Sequence, residues 1–133
     1  MKNKLTYIID DDKLTVKLMS ILIAKNKFCE AIEPFHNAQF AIDKLKQNCA
    51  DAEKLPDAIL LDLNMPVMDG WQFLDEFSQL PIKKEIAIFI MTSSIDPADI
   101  EMAKKYTLVK KYIMKPVTAD KLNTLCQLIA AIK

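Results

Sequence analysis

Short apolar runs alternate along the chain with stretches in which apolar residues recur every three or four positions. The runs are Leu5 to Ile9, Ala58 to Leu61, Ile86 to Met91 and Tyr112 to Met114. They are too short for helices and are predicted to be strands, with the nearly all-apolar Ile86 to Met91 suited to a central strand covered on both faces. A further strand is expected within Cys29 to Phe35, where Pro34 suits an edge or a strand end. The helix-period stretches carry Leu14, Leu18, Ile21 and Leu22, then Ala38, Ala41, Ile42 and Leu45, then Trp71, Leu74 and Phe77 with Phe73, and finally Leu122, Leu125, Leu128, Ile129 and Ile132. Helix starts are marked by Asn37, by the Asp69-Gly70 turn, by Asp96 with Pro97 at the first helical position, and by Thr118. The Asp96 helix is expected to run to about Tyr106, and the polar stretch from Asn48 to Pro56 reads as a loop.

Strands alternating with helices define an α/β protein. Right-handed crossovers make a doubly wound, five-stranded parallel sheet in the order 2-1-3-4-5 the economical topology. In such a sheet the strands' carboxyl ends share one edge. Asp10 and Asp11, Asp62, Thr92 and Lys115 each stand where an apolar run stops, so they are expected to converge there.

At 133 residues, the length is that of one domain, expected to span residues 1–133 with no output domain. The 18 basic side chains balance the 18 acidic ones, which argues against a nucleic-acid footprint or a polybasic membrane anchor. Five mostly apolar residues before three aspartates form neither a signal-peptide core nor a membrane span, so a cytoplasmic protein is expected. Cys29, Cys49 and Cys126 are far apart and lack metal-site spacing; they read as small buried hydrophobes.

Carboxylates crowded at a strand-end edge repel one another and are neutralised most cheaply by a hard divalent cation such as magnesium, which leaves positions open for phosphate oxygens. Asp62 can then act as a nucleophile toward phosphorus. Thr92 offers a hydroxyl donor and Lys115 a compact charge suited to phosphate. No general base is needed, because a carboxylate is already ionised at neutral pH.

The stretches Ile8-Ile9-Asp10-Asp11-Asp12, Ile59 to Gly70, Ile90-Met91-Thr92-Ser93 and Tyr112-Ile113-Met114-Lys115-Pro116 together resemble the receiver domain of two-component response regulators, a flavodoxin-like fold, over essentially the whole chain. The resemblance implies a phospho-accepting signalling module rather than an enzyme acting on a separate substrate. Asp62 is then the phospho-acceptor, served by a histidine kinase or a histidine phosphotransfer protein. Asp10, Asp11, Asp62 and the backbone carbonyl of Asn64 are implied magnesium ligands, with Asp11 direct and Asp10 acting through water. Thr92 is the implied switch hydroxyl, Tyr112 the aromatic that follows it, Lys115 the phosphate-binding lysine, Pro116 a cis-proline, and Ser93 the small residue that leaves access to phosphate. A downstream target protein is expected on the face formed by the fourth helix, fifth strand and fifth helix, with neither nucleic acid nor membrane as partner.

The chain departs from the family pattern after the fourth helix, where Tyr106-Thr107-Leu108-Val109 replaces a frequent glycine. Asp12 leaves Asp11 and Asp12 open as the working pair, although the strand end favours Asp10 and Asp11. The alternative reading is a haloacid dehalogenase-like aspartyl-phosphate phosphatase, but that class expects a second aspartate where this chain has Asn64. A receiver that is never phosphorylated and serves as a scaffold ranks third. His36 reads as structural or surface-exposed, Met65, Met68, Met91 and Met114 as packing, and Asp51, Glu53, Asp57, Asp75 and Glu76 as a solvated acidic scatter.

Overall fold

Burial on both faces dictates the centre of the molecule. Every residue of β3 (Ala58–Asp62) and β4 (Ala87–Thr92) is buried, as their near-continuous apolar character requires. The computed structural model describes residues 3–65, 67–93 and 96–132; Met1 and Lys2 of the N-terminal segment and Pro66 of the Asp62 stretch lie outside them. The remaining elements are β1 (Leu5–Ile9), α1 (Lys13–Lys25), β2 (Ala31–Phe35), α2 (Ala38–Gln47), α3 (Gly70–Ser78), α4 (Pro97–Lys105), β5 (Val109–Met114) and α5 (Ala119–Ala130). All four strand pairings are parallel and the order is β2-β1-β3-β4-β5, the topology expected from right-handed crossovers. Pro34 lies on the edge strand β2, and β5 begins three residues earlier than its apolar run, at Val109.

Because successive strand side chains point to opposite faces, the sheet splits its apolar residues into two cores. Tyr7, Ile9, Ile59, Leu61, Ile88 and Ile90 pack against α2 and α3 and reach Ala103 of α4. Ile8, Leu60, Phe89, Met91 and Ile113 pack against Val16, Met19 and Ile23 of α1 and Leu122, Leu125 and Ile129 of α5.

Helix α1 corrects the expected phase. Val16, Met19 and Ile23 face the sheet, whereas Leu14, Leu18 and Ile21 are 64%, 58% and 57% exposed. Both sides of α1 are apolar, so periodicity alone did not select the buried one. The cap selects it: Asp12 accepts the N–H groups of Leu14 and Thr15 and the Thr15 hydroxyl, while its own N–H donates to Asp10 Oδ1 at 2.9 Å. The helix start, and hence its rotation, is thus tied to the end of β1. Asn37, Asp69, Asp96 and Thr118 cap the other helices as expected.

Asp57 also departs from its expected place among solvated acids. It is buried at the amino edge of the sheet, where it accepts the N–H of Lys4 at 2.7 Å and of Leu5 at 3.3 Å and pairs with Lys84 Nζ at 2.9 Å. Lys84 donates further to the carbonyls of Ala52 and Leu55, so the pair binds β1, the loop before β3 and the segment before β4 into one knot. Burial would push the Asp57 carboxyl up, but Lys84 and the two backbone N–H groups outweigh it and hold the group below its ordinary value. A lowered native pKa stabilises the fold above the unfolded-chain value near about 3.9, and that stability is lost as pH falls through the native value. Asp57→Ala is expected to lower stability at pH 7 by about 3 kcal/mol, since it leaves Lys84 partly buried and unpaired. Urea titrations should show the gap from wild type closing as the pH drops below about 4.

Candidate functional site

Parallel pairing places the ends of β1, β3, β4 and β5 on one edge, with Ile9 beside Leu61, Asp62 beside Met91 and Thr92 beside Met114. The residues that follow or close those strands therefore meet. Asp10 is fully buried, Asp62 is 6% exposed and Thr92 is fully buried, while Asp11 is exposed. Carboxylate oxygens of Asp10, Asp11 and Asp62 lie within 4.8 Å of one another.

Lys115 enters this cluster from 105 residues away. Its Nζ is 2.6 Å from Asp10 Oδ2 and 3.6 Å from Asp62 Oδ1. The Lys115 backbone N–H donates to the Thr92 carbonyl at 2.8 Å, and the bond to Pro116 is cis. Asp10 uses both oxygens, one on Lys115 and one on the Asp12 N–H. Among the described residues, Asp62 has the longer contact to the ammonium and a backbone hydrogen bond from Asn64. Burial, then the nearby Asp10 charge, therefore push its carboxyl up to about 6; Lys115 and the Asn64 N–H only partly oppose that, and Asp11 adds to it.

The neighbourhood of Asp62 is built by close approach. Gly70, the chain's single glycine, donates its N–H to the Leu63 carbonyl at 3.0 Å. A Cβ there would lie 2.8 Å from Leu63 Cδ2 and 2.9 Å from the Asp62 carbonyl oxygen. Only glycine lets α3 start this near β3. Asp69 and Gln72 close a reciprocal capping box immediately around it.

Two details were missed in the sequence. The Asn64 side chain, and not just its backbone, belongs to the site: its Nδ2 donates to Thr92 Oγ1 at 3.5 Å. Its place two residues beyond Asp62 was the available signal. Asp12, open as a partner of Asp11, is occupied as the α1 cap instead. Tyr112 is half-buried on β5 beside Ile90, where burial and the acids Asp99 and Asp96 push its hydroxyl up. The structure brings Asp10, Asp11, Asp62, Asn64, Thr92 and Lys115 together, with Tyr112 packed against the neighbouring core. Ser93 is exposed at the end of β4, and His36 is exposed after β2. Cys29, Cys49 and Cys126 are half-buried free thiols.

Fold and site together define an open α/β protein with an all-oxygen acidic cluster and the Lys115 ammonium at a strand-end edge, a donor set that suits a hard cation and phosphate. Residues 6–127 match the response regulator receiver domain family. The chain belongs to that family. It is 28% identical over 114 residues to the chemotaxis protein CheY of Bacillus subtilis, covering 86% of this chain and 87% of that protein. It is 30% identical over 116 residues to a protein-glutamate methylesterase/protein-glutamine glutaminase of Desulfotalea psychrophila, of which this chain spans 30%. A two-component response regulator structure from Cytophaga hutchinsonii superposes with a TM-score of 0.87 at 32% identity, covering 98% of each chain. The family match leaves the dehalogenase-like phosphatase reading without support.

An ionised Asp62 is unfavourable in this cluster, and the sign of its effect follows. A native pKa raised from about 3.9 to about 6 means that the unfolded chain ionises first, so stability falls between those pH values and stays low above them. Asp62→Asn is expected to be more stable than wild type by on the order of 2 kcal/mol at pH 7 in chelator-treated buffer. Denaturant midpoints should show the gain vanishing below about pH 4.

Proposed function

We propose that this chain is a phospho-receiver in which Asp62 takes a phosphoryl group from a phosphohistidine of a histidine kinase or histidine phosphotransfer protein. The observation that carries this reading is the Lys115 ammonium lodged 2.6 Å from Asp10 and 3.6 Å from Asp62 within the carboxylate cluster. The Lys115 ammonium would meet an incoming phosphoryl oxygen, and Asp62 is largely ionised at neutral pH with a native pKa of about 6. In the transfer the phosphorus–nitrogen bond breaks as a phosphorus–oxygen bond forms to Asp62. The departing imidazole keeps the electron pair and takes up a proton.

Asp10, Asp11, Asp62 and the Asn64 carbonyl would hold magnesium. The ion supplies neutralisation of the charge that crowds the site when phosphate arrives. Thr92 offers its hydroxyl to the phosphoryl group, releasing the Asn64 amide, and Tyr112 follows into the space beside β4. Phosphate thereby biases a two-state element through added charge and acceptor oxygens. Output runs through protein contact on the face of α4, β5 and α5, in the cytoplasm. No helix among the described residues is long and apolar enough to cross a membrane. The exposed Leu14, Leu18 and Ile21 on α1, with the groove that Leu18, Met19 and Leu22 form against Lys115, Pro116 and Val117, give the donor an apolar surface beside the acceptor.

Incubation with acetyl phosphate and magnesium is expected to add one phosphoryl group per chain, read by intact mass. Asp62→Asn and chelation should each abolish it, and Lys115→Met should slow it by at least about tenfold. Sustained turnover of small phosphate esters, or uptake by Asp62→Asn, would overturn the reading.

A further inference from the structure

The first turn of helix α5 carries a residue that its position does not favour. Thr118 is the cap, its hydroxyl oxygen accepting the Lys121 N–H at 3.3 Å, so Lys121 occupies the third helical position. A glutamate or glutamine there reaches back to the cap N–H, as Gln72 does for Asp69 in α3. A cation in a first turn faces the positive end of the helix dipole instead.

The Lys121 side chain turns back off the helix. Its ammonium donates to the Met114 carbonyl at 2.7 Å and to the Pro116 carbonyl at 3.0 Å. Those two carbonyls flank Lys115. With the Lys115 N–H on the Thr92 carbonyl at 2.8 Å, the backbone that carries the site lysine is held at its own N–H and at the carbonyls on either side. Charge-assisted hydrogen bonds of this kind are about twice as strong as neutral ones. A residue that breaks a local rule while making such contacts beside a site is where function overrides helix preference.

We propose that Lys121 is a positioning residue for Lys115: bridging the Met114 and Pro116 carbonyls, it sets the backbone from which Lys115 reaches the phosphoryl-accepting carboxylates. This role rests on the phospho-acceptor reading above. Lys121 bonds to backbone carbonyls and not to the acids of the cluster, so its loss displaces the Lys115 ammonium while every metal-binding group stays in place. Small displacements of a positioned charge cost large factors in rate. Loss of the clamp therefore slows transfer without lowering magnesium affinity, since the displaced ammonium competes with the cation for Asp10 and Asp62.

The test compares wild type with Lys121→Met, Lys121→Gln, Lys121→Arg and Lys115→Met. Phosphorylation by acetyl phosphate, magnesium affinity by calorimetry and thermal midpoint are measured for each. Lys121→Gln restores a capping-box residue to α5, so the helix start survives even where Lys121→Met unfolds. Lys121→Met and Lys121→Gln are expected to be phosphorylated on the order of tenfold more slowly, with magnesium affinity no lower than that of wild type. Lys121→Arg, which keeps charged donors, should recover most of the rate. A folded Lys121→Met or Lys121→Gln that reacts at the wild-type rate while Lys115→Met fails would overturn the positioning role and leave the acceptor reading standing. Slowing that merely tracks a fall in magnesium affinity or thermal midpoint would overturn it too. A wild-type chain that takes up no phosphoryl group would overturn the acceptor reading, and the positioning role with it.

Discussion

The Lys115 ammonium among the carboxylates of Asp10, Asp11 and Asp62 governs the carboxyl edge of this sheet. Strands β1 and β5 are not neighbours, since β3 and β4 lie between them, yet Lys115 and Asp10 join their ends at 2.6 Å. The pair is worth forming because Asp10 is fully buried and an unpaired buried charge is strongly unfavourable. One cation does not neutralise three acids, however. Burial first, and then the remaining repulsion from Asp10, acts on Asp62, whose carboxyl rises to about 6. The uncompensated negative charge leaves the edge prepared for further positive charge and for phosphate.

The two edges of the sheet handle buried acid in opposite ways. At the amino edge, Asp57 has Lys84 and two backbone N–H groups, and its carboxyl is held low. At the carboxyl edge, Asp62 is under-supplied with donors. Stability is concentrated in one and given up in the other, the division expected where a site must remain reactive. Val67 belongs to the second edge. It lies in the loop between Asp62 and α3, 96% exposed and with a φ of 71°, in the left-handed region that a β-branched residue rarely adopts. That strain sits five residues from the candidate nucleophile, a common location for it.

Departures from the frequent pattern have local physical outcomes as well. After α4, where the family often has glycine, Tyr106 stacks on Trp71 with ring centroids 5.3 Å apart and donates its hydroxyl to Asp75 at 2.9 Å. This contact joins the end of α4 to α3 across the surface. Asp75, expected among the solvated acids, and Trp71, expected among the apolar positions of its helix, each have a defined partner.

Much of the fold was legible because it depends on short-range chemistry. Apolar runs ending at Asp10, Asp62, Thr92 and Lys115 marked strands, and Asn37, Asp96 and Thr118 marked helix starts through their ability to satisfy free N–H groups. The strand order followed from crossover handedness. The buried side of α1 was not legible, since leucine and isoleucine line both sides and the choice came from the Asp12 cap bound to Asp10. Nor was the pairing of Asp57 with Lys84, nor the bond between Asn64 and Thr92, because partners 27 or 28 positions apart have no periodic signature. The sequence by itself therefore determined which elements form and which polar groups end the strands, since those are decided within a few residues. Only the tertiary structure decided which of those groups touch, how far Asp62 is desolvated and which acids find a cation, because distance and burial are properties of the packed sheet.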